Sequence, residues 1–408
     1  MSTKKLDAKN FLEQITKYGF FAEQFPECFS SKSFSKNVNA LLPLVSTNKN
    51  EIKKSIKNST APTTLSTYKN EISRRVLSVP NPESFLRLAK YMQEQWENIK
   101  NYSYSNNSQS PISSMIYNYP MGSTAEYINS EALRETLRLS SDFVKGIKER
   151  INSSLGYKYR LCVDISNCYN SIYTHSITWA ICGKKEAKRY FRTKQPESLK
   201  EQYEIGDRLD CFVRFQKNNE TNGIIVGPYT SRIISEIILA KIDSELVNRS
   251  FIFKRYVDDY KLYFRSESQA LASLPEIEAV LNEYNLSLNT SKTETKKFPY
   301  EIVSNIKEAY ETAYDKERVF GVLNTASILF EQGEKGAYKY ALKLIRDTEV
   351  SMNELWLIIP LLINIMLIDP RYGKYITTFL QNNFKFVDDK DLSILLNKEL
   401  KNSLSDHL

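Results

Sequence analysis

Three aspartates set the chemistry to look for. Asp164 stands near the end of Tyr157 to Ile165 (YKYRLCVDI), and Asp258 and Asp259 stand within Phe251 to Phe264 (FIFKRYVDDYKLYF). The chain has only two histidines, His175 and His407, so a histidine metal site or triad is nearly excluded. A metal here must be held by carboxylates, which favours Mg²⁺, with Mn²⁺ as the other option. Two such ions about 3.5–4 Å apart activate a hydroxyl and neutralise a triphosphate, which is what nucleotidyl transfer needs. The minimal protein share of that work is two or three aspartates on rigid, adjacent strands.

The surrounding residues predict those strands. Tyr157 to Ile165 alternates, with Tyr159, Leu161 and Val163 on one side and Arg160, Cys162 and Asp164 on the other. Phe251 to Phe264 reads as two aromatic-rich strands around an Asp-Asp turn, a hairpin. If these strands pair, the three acids converge. The bland alternative for Asp258-Asp259 is a solvated turn. A second acid pair, in Val387-Asp388-Asp389, has no aromatic strand after it and reads as a helix N-cap. Ser231 to Val247 predicts a helix with a wide apolar face, including Ile234, Ile238, Ile242 and Leu246.

The chain divides by pattern into three parts. Residues 1–110 read as a helical segment, with helices over Asp7 to Thr16, Ser31 to Leu42 and Glu83 to Lys100. Asn101 to Pro111 is a polar loop and a unit boundary. Residues 111–299 hold the strands and the acids. Residues 300–408 read as amphipathic helices, and the apolar run Leu355 to Ile368, interrupted by Pro360 and Asn364, reads as a buried helix pair.

Composition narrows the partners. A length of 408 residues predicts more than one packed unit. The net charge of +8 is the difference between 56 basic and 48 acidic side chains, which fits a local basic groove and a nucleic-acid partner. The five cysteines are odd in number and form no CxxC pair, so they read as reduced, buried thiols in a reducing cytoplasm. The N-terminus lacks a signal-peptide apolar stretch, and the longest apolar run is shorter than a membrane span. A soluble cytoplasmic protein with no membrane partner is expected.

Four motifs then resemble one family. Tyr256-Val257-Asp258-Asp259 resembles the YxDD box of reverse transcriptases, and Asp164-Ile-Ser-Asn-Cys-Tyr-Asn-Ser-Ile resembles their first aspartate motif. Gly223-Ile-Ile-Val-Gly-Pro-Tyr-Thr-Ser231 is similar to the glycine-containing motif that runs into a helix, and Leu288-Asn289-Thr-Ser-Lys292-Thr293 to the lysine-carrying box downstream. They occur in the family's order. The resemblance implies an α+β fold, the fingers and palm of a right-hand polymerase, followed by an all-helical C-terminal domain in place of a conventional thumb. In that division residues 1–110 hold the N-terminal helices and fingers, 111–299 the fingers and palm core, and 300–408 the helical domain.

The same resemblance assigns roles residue by residue. Asp164, Asp258 and Asp259 would be catalytic, and Ile165 would join them among the metal ligands. Tyr169 would lie beneath the incoming sugar and clash with a 2′-hydroxyl, selecting dNTP; the alternative is a core tyrosine. Gly227 would let the backbone approach nucleotide and template, and Val226 stands where retroviral enzymes carry glutamine. Lys292 would reach the triphosphate or protonate pyrophosphate, or else be an exposed structural lysine. Arg74 and Arg75 resemble the basic fingers segment that grips phosphate. Tyr256 and Ser231 would contact nucleic acid.

The stretches DISNCYNSIYTHSITWAICGK, NGIIVGPYTSRIISEIILAKID and YGFFAEQFPECFSS are more narrowly similar to bacterial abortive-infection and defence-associated reverse transcriptases. That implies a bacterial cytoplasmic enzyme using dNTPs and Mg²⁺, bound to RNA (a noncoding RNA) and its DNA product, and forming a homo-oligomer. Some members extend DNA from their own tyrosine, for which Tyr18 is the candidate here; the alternative is a packing aromatic. The segment Tyr102 to Tyr119 either binds RNA or is a surface loop. Other readings are template-independent synthesis, an RNA polymerase of the palm fold, a carboxylate-metal nuclease, and a catalytically silent RNA-binding assembly protein.

Overall fold

Threonine, valine and aromatic residues build the strands, because branched and flat side chains fit a pleated surface. Thr63–Tyr68 (β1) and Arg74–Val79 (β2) form a two-stranded sheet. Tyr159–Asp164 (β3), Phe253–Tyr256 (β4), Asp259–Phe264 (β5) and Glu294–Lys297 (β6) form a second sheet in the order β4-β5-β3-β6, antiparallel throughout. Its centre is apolar: Leu161 and Leu262 are register partners and both are fully buried. The same register sets Asp164 opposite Asp259.

This computed structural model describes residues 8–22, 24–25, 29–48, 59–68, 74–109, 150, 152–298, 306–334, 336–383, 394 and 397. They fall into two units. The first draws on ranges 1–66, 76–127 and 141–302, so residues on both sides of position 110 share it; the second draws on 67–75, 128–140 and 303–408. The fold is α+β.

The first unit begins with helices Phe11–Tyr18 (α1), Lys32–Lys36 (α2) and Val38–Leu41 (α3). Pro82–Glu94 (α4) starts where expected: the Asn81 side chain accepts from the amides of Glu83 and Ser84, and Pro82 needs no amide partner. The expected single helix to Lys100 is two. Gln95 leaves helical geometry at φ −105° and ψ 18°, and Trp96–Tyr102 (α5) resumes with Trp96 against Phe11, ring centroids 4.7 Å apart. The polar loop also differs from expectation. Arg255 donates its amide to the Asn107 carbonyl and accepts from the Gln109 amide, so this segment is stitched to β4. Residues 110–119 lie outside the described residues.

Helices Cys168–Ser171 (α6), Ser176–Cys182 (α7), Lys184–Thr193 (α8) and Lys200–Phe215 (α9) follow β3. Tyr229–Asn248 (α10) covers the expected helix, but it is buried nearly all round, with the acids Glu236 and Asp243 at 2% and 1% exposure. Glu267–Glu283 (α11) completes the unit.

The second unit is helical: Ile306–Glu331 (α12), Ala337–Ile345 (α13), Met352–Ile368 (α14) and Gly373–Asn383 (α15). Leu355 to Ile368 lies in one helix, not the expected pair. Pro360 sits inside it, and the burial of Leu355, Ile358, Ile359, Leu362 and Ile363 outweighs the hydrogen bond that proline forfeits. No helix among the described residues is long and apolar enough to cross a membrane. Asp388 and Asp389 lie outside the described residues. Cys162, Cys168, Cys182 and Cys211 are free, but only Cys168 is buried, which corrects the expectation of uniformly buried thiols; Cys28 lies outside the described residues.

Candidate active site

Two adjacent strands deliver the acids. Asp164 is the last residue of β3, Asp259 is the first of β5 and its register partner, and Asp258 lies in the turn between β4 and β5. One carboxylate oxygen from each lies within 4.8 Å of the others. Asp164 is buried, Asp258 half-buried and Asp259 exposed. Burial of the site, and then the charges of Asp258 and Asp164, push the Asp259 carboxyl up to about 6.

Three carboxylates that bring an oxygen each within 4.8 Å of one another suit a hard divalent cation such as Mg²⁺. Ile165, with an aliphatic side chain, could add only its backbone carbonyl. Its amide donates to the Asp258 carbonyl at 3.2 Å, which ties the end of β3 to the turn.

Asp164 is held by the lysine-carrying segment after α11. Asn289 Nδ2 donates to Asp164 Oδ2 at 2.8 Å, and the Asn289 amide donates to the Asp164 carbonyl at 2.8 Å. Ser291 Oγ donates to Asn289 Oδ1 at 2.7 Å and so fixes the amide's orientation. Lys292 Nζ lies 2.9 Å from the same Asp164 oxygen. Its hydrogen bond to Asp164 raises the ammonium's pKa. Both donors thus converge on one carboxylate oxygen.

The turn is held from behind. Val257 adopts φ 57°, a left-handed conformation that a β-branched residue resists. Arg255, fully buried, donates from Nη1 to the Val257 carbonyl at 2.9 Å. Its Nε and Nη2 bind Asp243 at 2.9 and 2.7 Å, and Nη2 binds Glu236 at 2.8 Å. Ser108 Oγ also donates to Glu236, at 2.8 Å. Sequence reasoning missed this network. The signal was present: Glu236 and Asp243 lie seven residues apart, on one face of a helix rich in isoleucine.

The remaining residues lie outside the metal-ligating group. Tyr169 lies on α6, half-buried, and accepts from Ser235 Oγ at 3.4 Å; burial pushes its phenol up to about 12. The Val226 carbonyl accepts from the Ser78 amide of β2 at 2.8 Å. Gly227 has φ 136°, and a Cβ there would sit 3.0 Å from the Ala22 Cβ and 3.2 Å from the Ser78 carbonyl. This glycine lets the chain pass close to Ala22 and to the Ser78 backbone. Ser231, in the first turn of α10, is 5% exposed and offers a nucleic acid little surface. Tyr256 ends β4 opposite Asp259 and is 54% exposed. Tyr18 ends α1, half-buried, with Lys17 Nζ 4.7 Å over its ring, outside the metal-ligating group. Arg74 and Arg75 are exposed at the start of β2, in the stretch grouped with the second unit.

Residues 70–318 match the family model described as reverse transcriptase (RNA-dependent DNA polymerase). No curated protein matches the chain. Similar solved structures include apo telomerase from Candida tropicalis truncated from its C-terminal domain, at 14% identity and TM-score 0.35, covering 63% of this chain and 55% of that one. Telomerase from Candida albicans, in complex with a TWJ fragment of telomeric RNA, is similar at 12% identity and TM-score 0.34, covering 82% and 62%. Apo telomerase from Candida tropicalis is similar at 13% identity and TM-score 0.38, covering 86% and 67%. The chain thus spans less than two thirds of the first two telomerase chains.

Proposed function

From the premise that this chain belongs to the reverse transcriptase family, we propose that it is an RNA-directed DNA polymerase that makes DNA from dNTPs. The observation that carries the reading is the convergence of Asp164, Asp258 and Asp259 across the β3–β5 register. Bound Mg²⁺ would lower the pKa of the attacking 3′-hydroxyl and neutralise the triphosphate. Asp164, Asp258 and Asp259 would hold that metal. Asn289 keeps Asp164 turned toward it. Lys292 carries a proton on Nζ at the edge of the site and donates it to the departing pyrophosphate. Tyr169 excludes a 2′-hydroxyl from beneath the sugar.

The finer reading is a bacterial cytoplasmic enzyme of antiphage defence, copying an associated noncoding RNA and working as a homo-oligomer. Its support is the similarity of the segments around Asp164, Gly227 and Phe20 to defence-associated members. Purified protein supplied with dNTPs, Mg²⁺ and its co-purified RNA is expected to make DNA complementary to that RNA. The pair Asp258→Ala and Asp259→Ala is expected to make none. DNA synthesis by that double variant would end this mechanism, and preference of the wild type for rNTP would end the sugar assignment. DNA of random sequence attached to the protein would replace templated copying with self-primed synthesis.

A further inference from the structure

We propose that the outer face of α8 is a docking surface for single-stranded RNA, separate from the carboxylate site. The helix reads KKEAKRYFRT. Its inner side is Ala187 and Tyr190, three residues apart and so on one face. They join Tyr203 in a small apolar cluster flanked by Trp179, Cys182 and Leu199. Positions 185, 188, 189 and 192 follow helical spacing and are all exposed and all basic. Lys185, Lys188, Arg189 and Arg192 therefore form one stripe opposite the buried side, about 10 Å long.

The charge of the protein is concentrated here. Lys184 to Lys200 carries seven basic and two acidic side chains, a net excess of five against eight for the whole chain. The two acids are already engaged, Glu186 with Arg189 and Glu197 with Lys200. Among the described residues, Lys185, Lys188 and Arg192 form no ion pair. Like charges along one helix face repel, so the fold keeps a stripe it gains nothing from electrostatically. A polyanion would relieve it.

Aromatic rings order that charge in advance. Lys184 and Lys188 place Nζ 4.5 and 5.6 Å over the Trp179 ring. Lys194 lies 5.5 Å from both the Tyr190 and Tyr203 rings and 5.4 Å from Phe191. Ammonium groups seated on rings lose less freedom when a phosphate arrives. Phe191 itself is 67% exposed among these cations. Exposed aromatic plus basic stripe is the chemistry that binds a single strand, one part stacking a base and the other tracking the backbone. A duplex hides its base faces, and an acidic peptide has no use for the ring. RNA is the strand that an RNA-directed enzyme carries, so that choice rests on the proposed function.

The test is fluorescence anisotropy with a short, unstructured, labelled RNA and the full chain. Replacing Lys185, Lys188 and Arg192 together by alanine is expected to weaken binding more than about tenfold and to lower the salt slope by roughly 2, at about 0.7 per phosphate contact. Replacing the same three by arginine or lysine of the other kind is expected to restore it. Phe191→Ala is expected to cost about tenfold with the salt slope unchanged. Thermal melts, expected to match wild type, check that the exposed substitutions leave the fold intact. Wild-type affinity in the triple alanine variant would overturn the surface. So would equal competition by an acidic peptide, while equal competition by single-stranded DNA of the same sequence would overturn the choice of RNA as occupant. DNA synthesis on a short primer-template is read in parallel. Loss of RNA binding in the variants of a wild type that makes no DNA would sink the polymerase reading and leave the surface standing. Normal synthesis with normal RNA binding in the variants would sink the surface alone.

Discussion

Arg255 donates to the Val257 carbonyl across 2.9 Å, and this bond holds a left-handed turn one residue before Asp258. The guanidinium is itself clamped by Glu236 and Asp243, two buried acids whose charge this one cation partly offsets. Burying three charges is costly, and such groups are retained where they fix one conformation. Here the conformation fixed is that of the turn presenting a metal-ligating carboxylate.

Arg255→Leu is expected to lose about 3–5 kcal/mol in urea unfolding, because it strands two buried acids. Arg255→Lys keeps a charge but cannot span both acids and Val257. It is expected to fold and to bind Mn²⁺ more weakly in calorimetric titration. Wild-type Mn²⁺ affinity in the lysine variant would show that the Val257 bond does not position the site.

Asp259 yields opposite pH trends for stability and metal binding. Its carboxyl rises from 3.8 to about 6 in the metal-free fold, so between those values the folded state binds more protons than the unfolded chain. Stability from this group is therefore greatest at low pH and is lost as pH rises through about 6. Metal binding needs the ionised form, so affinity should fall below about pH 6, by up to about tenfold per unit. Thermal melts without metal and Mn²⁺ titrations across that window measure both. Asp259→Asn should flatten the stability trend and nearly abolish binding.

Asn289 and Lys292 meet on one oxygen of Asp164, and their replacements should diverge. Asn289→Ala frees the carboxylate to rotate and is expected to weaken Mn²⁺ binding about 10–100-fold, the usual effect of losing a group that orients a ligand. Lys292→Met removes a cation that competes for Asp164 and is expected to strengthen Mn²⁺ binding a few-fold while slowing synthesis. Weaker metal binding in Lys292→Met would contradict that competition.

Gly227→Ala should destabilise the protein by about 1–3 kcal/mol, since φ 136° and the Ala22 methyl both oppose a Cβ. Combining it with Ala22→Gly should recover part of the loss, the part due to the clash. No recovery in chemical denaturation would assign the whole cost to the backbone.

Much of the architecture was legible in local pattern. Alternation in Tyr157 to Ile165 and the aromatic runs around Val257 were enough for three strands of the second sheet, because side chains in a strand alternate between faces. The Asn81-Pro82 cap placed the start of α4 for an equally local reason. Pattern failed where packing overrode it. Pro360 breaks helices in isolation, yet buried neighbours carry α14 through it. Gln95 is a good helix former, yet the chain turns there.

The sequence by itself determined which residue types are available for chemistry: few histidines, a carboxylate pair in a hairpin, and a third acid ending a strand. Those properties are encoded by neighbours along the chain. Only the tertiary structure decided that Asp164 faces Asp259, that Asn289 and Lys292 share one oxygen of Asp164, and that Arg255 braces Val257. Each of these joins segments distant in sequence, and register and burial set them through contacts that no local pattern contains. The same holds for α8, where the basic residues could be counted but only the buried Tyr190 and Ala187 showed which way the stripe faces.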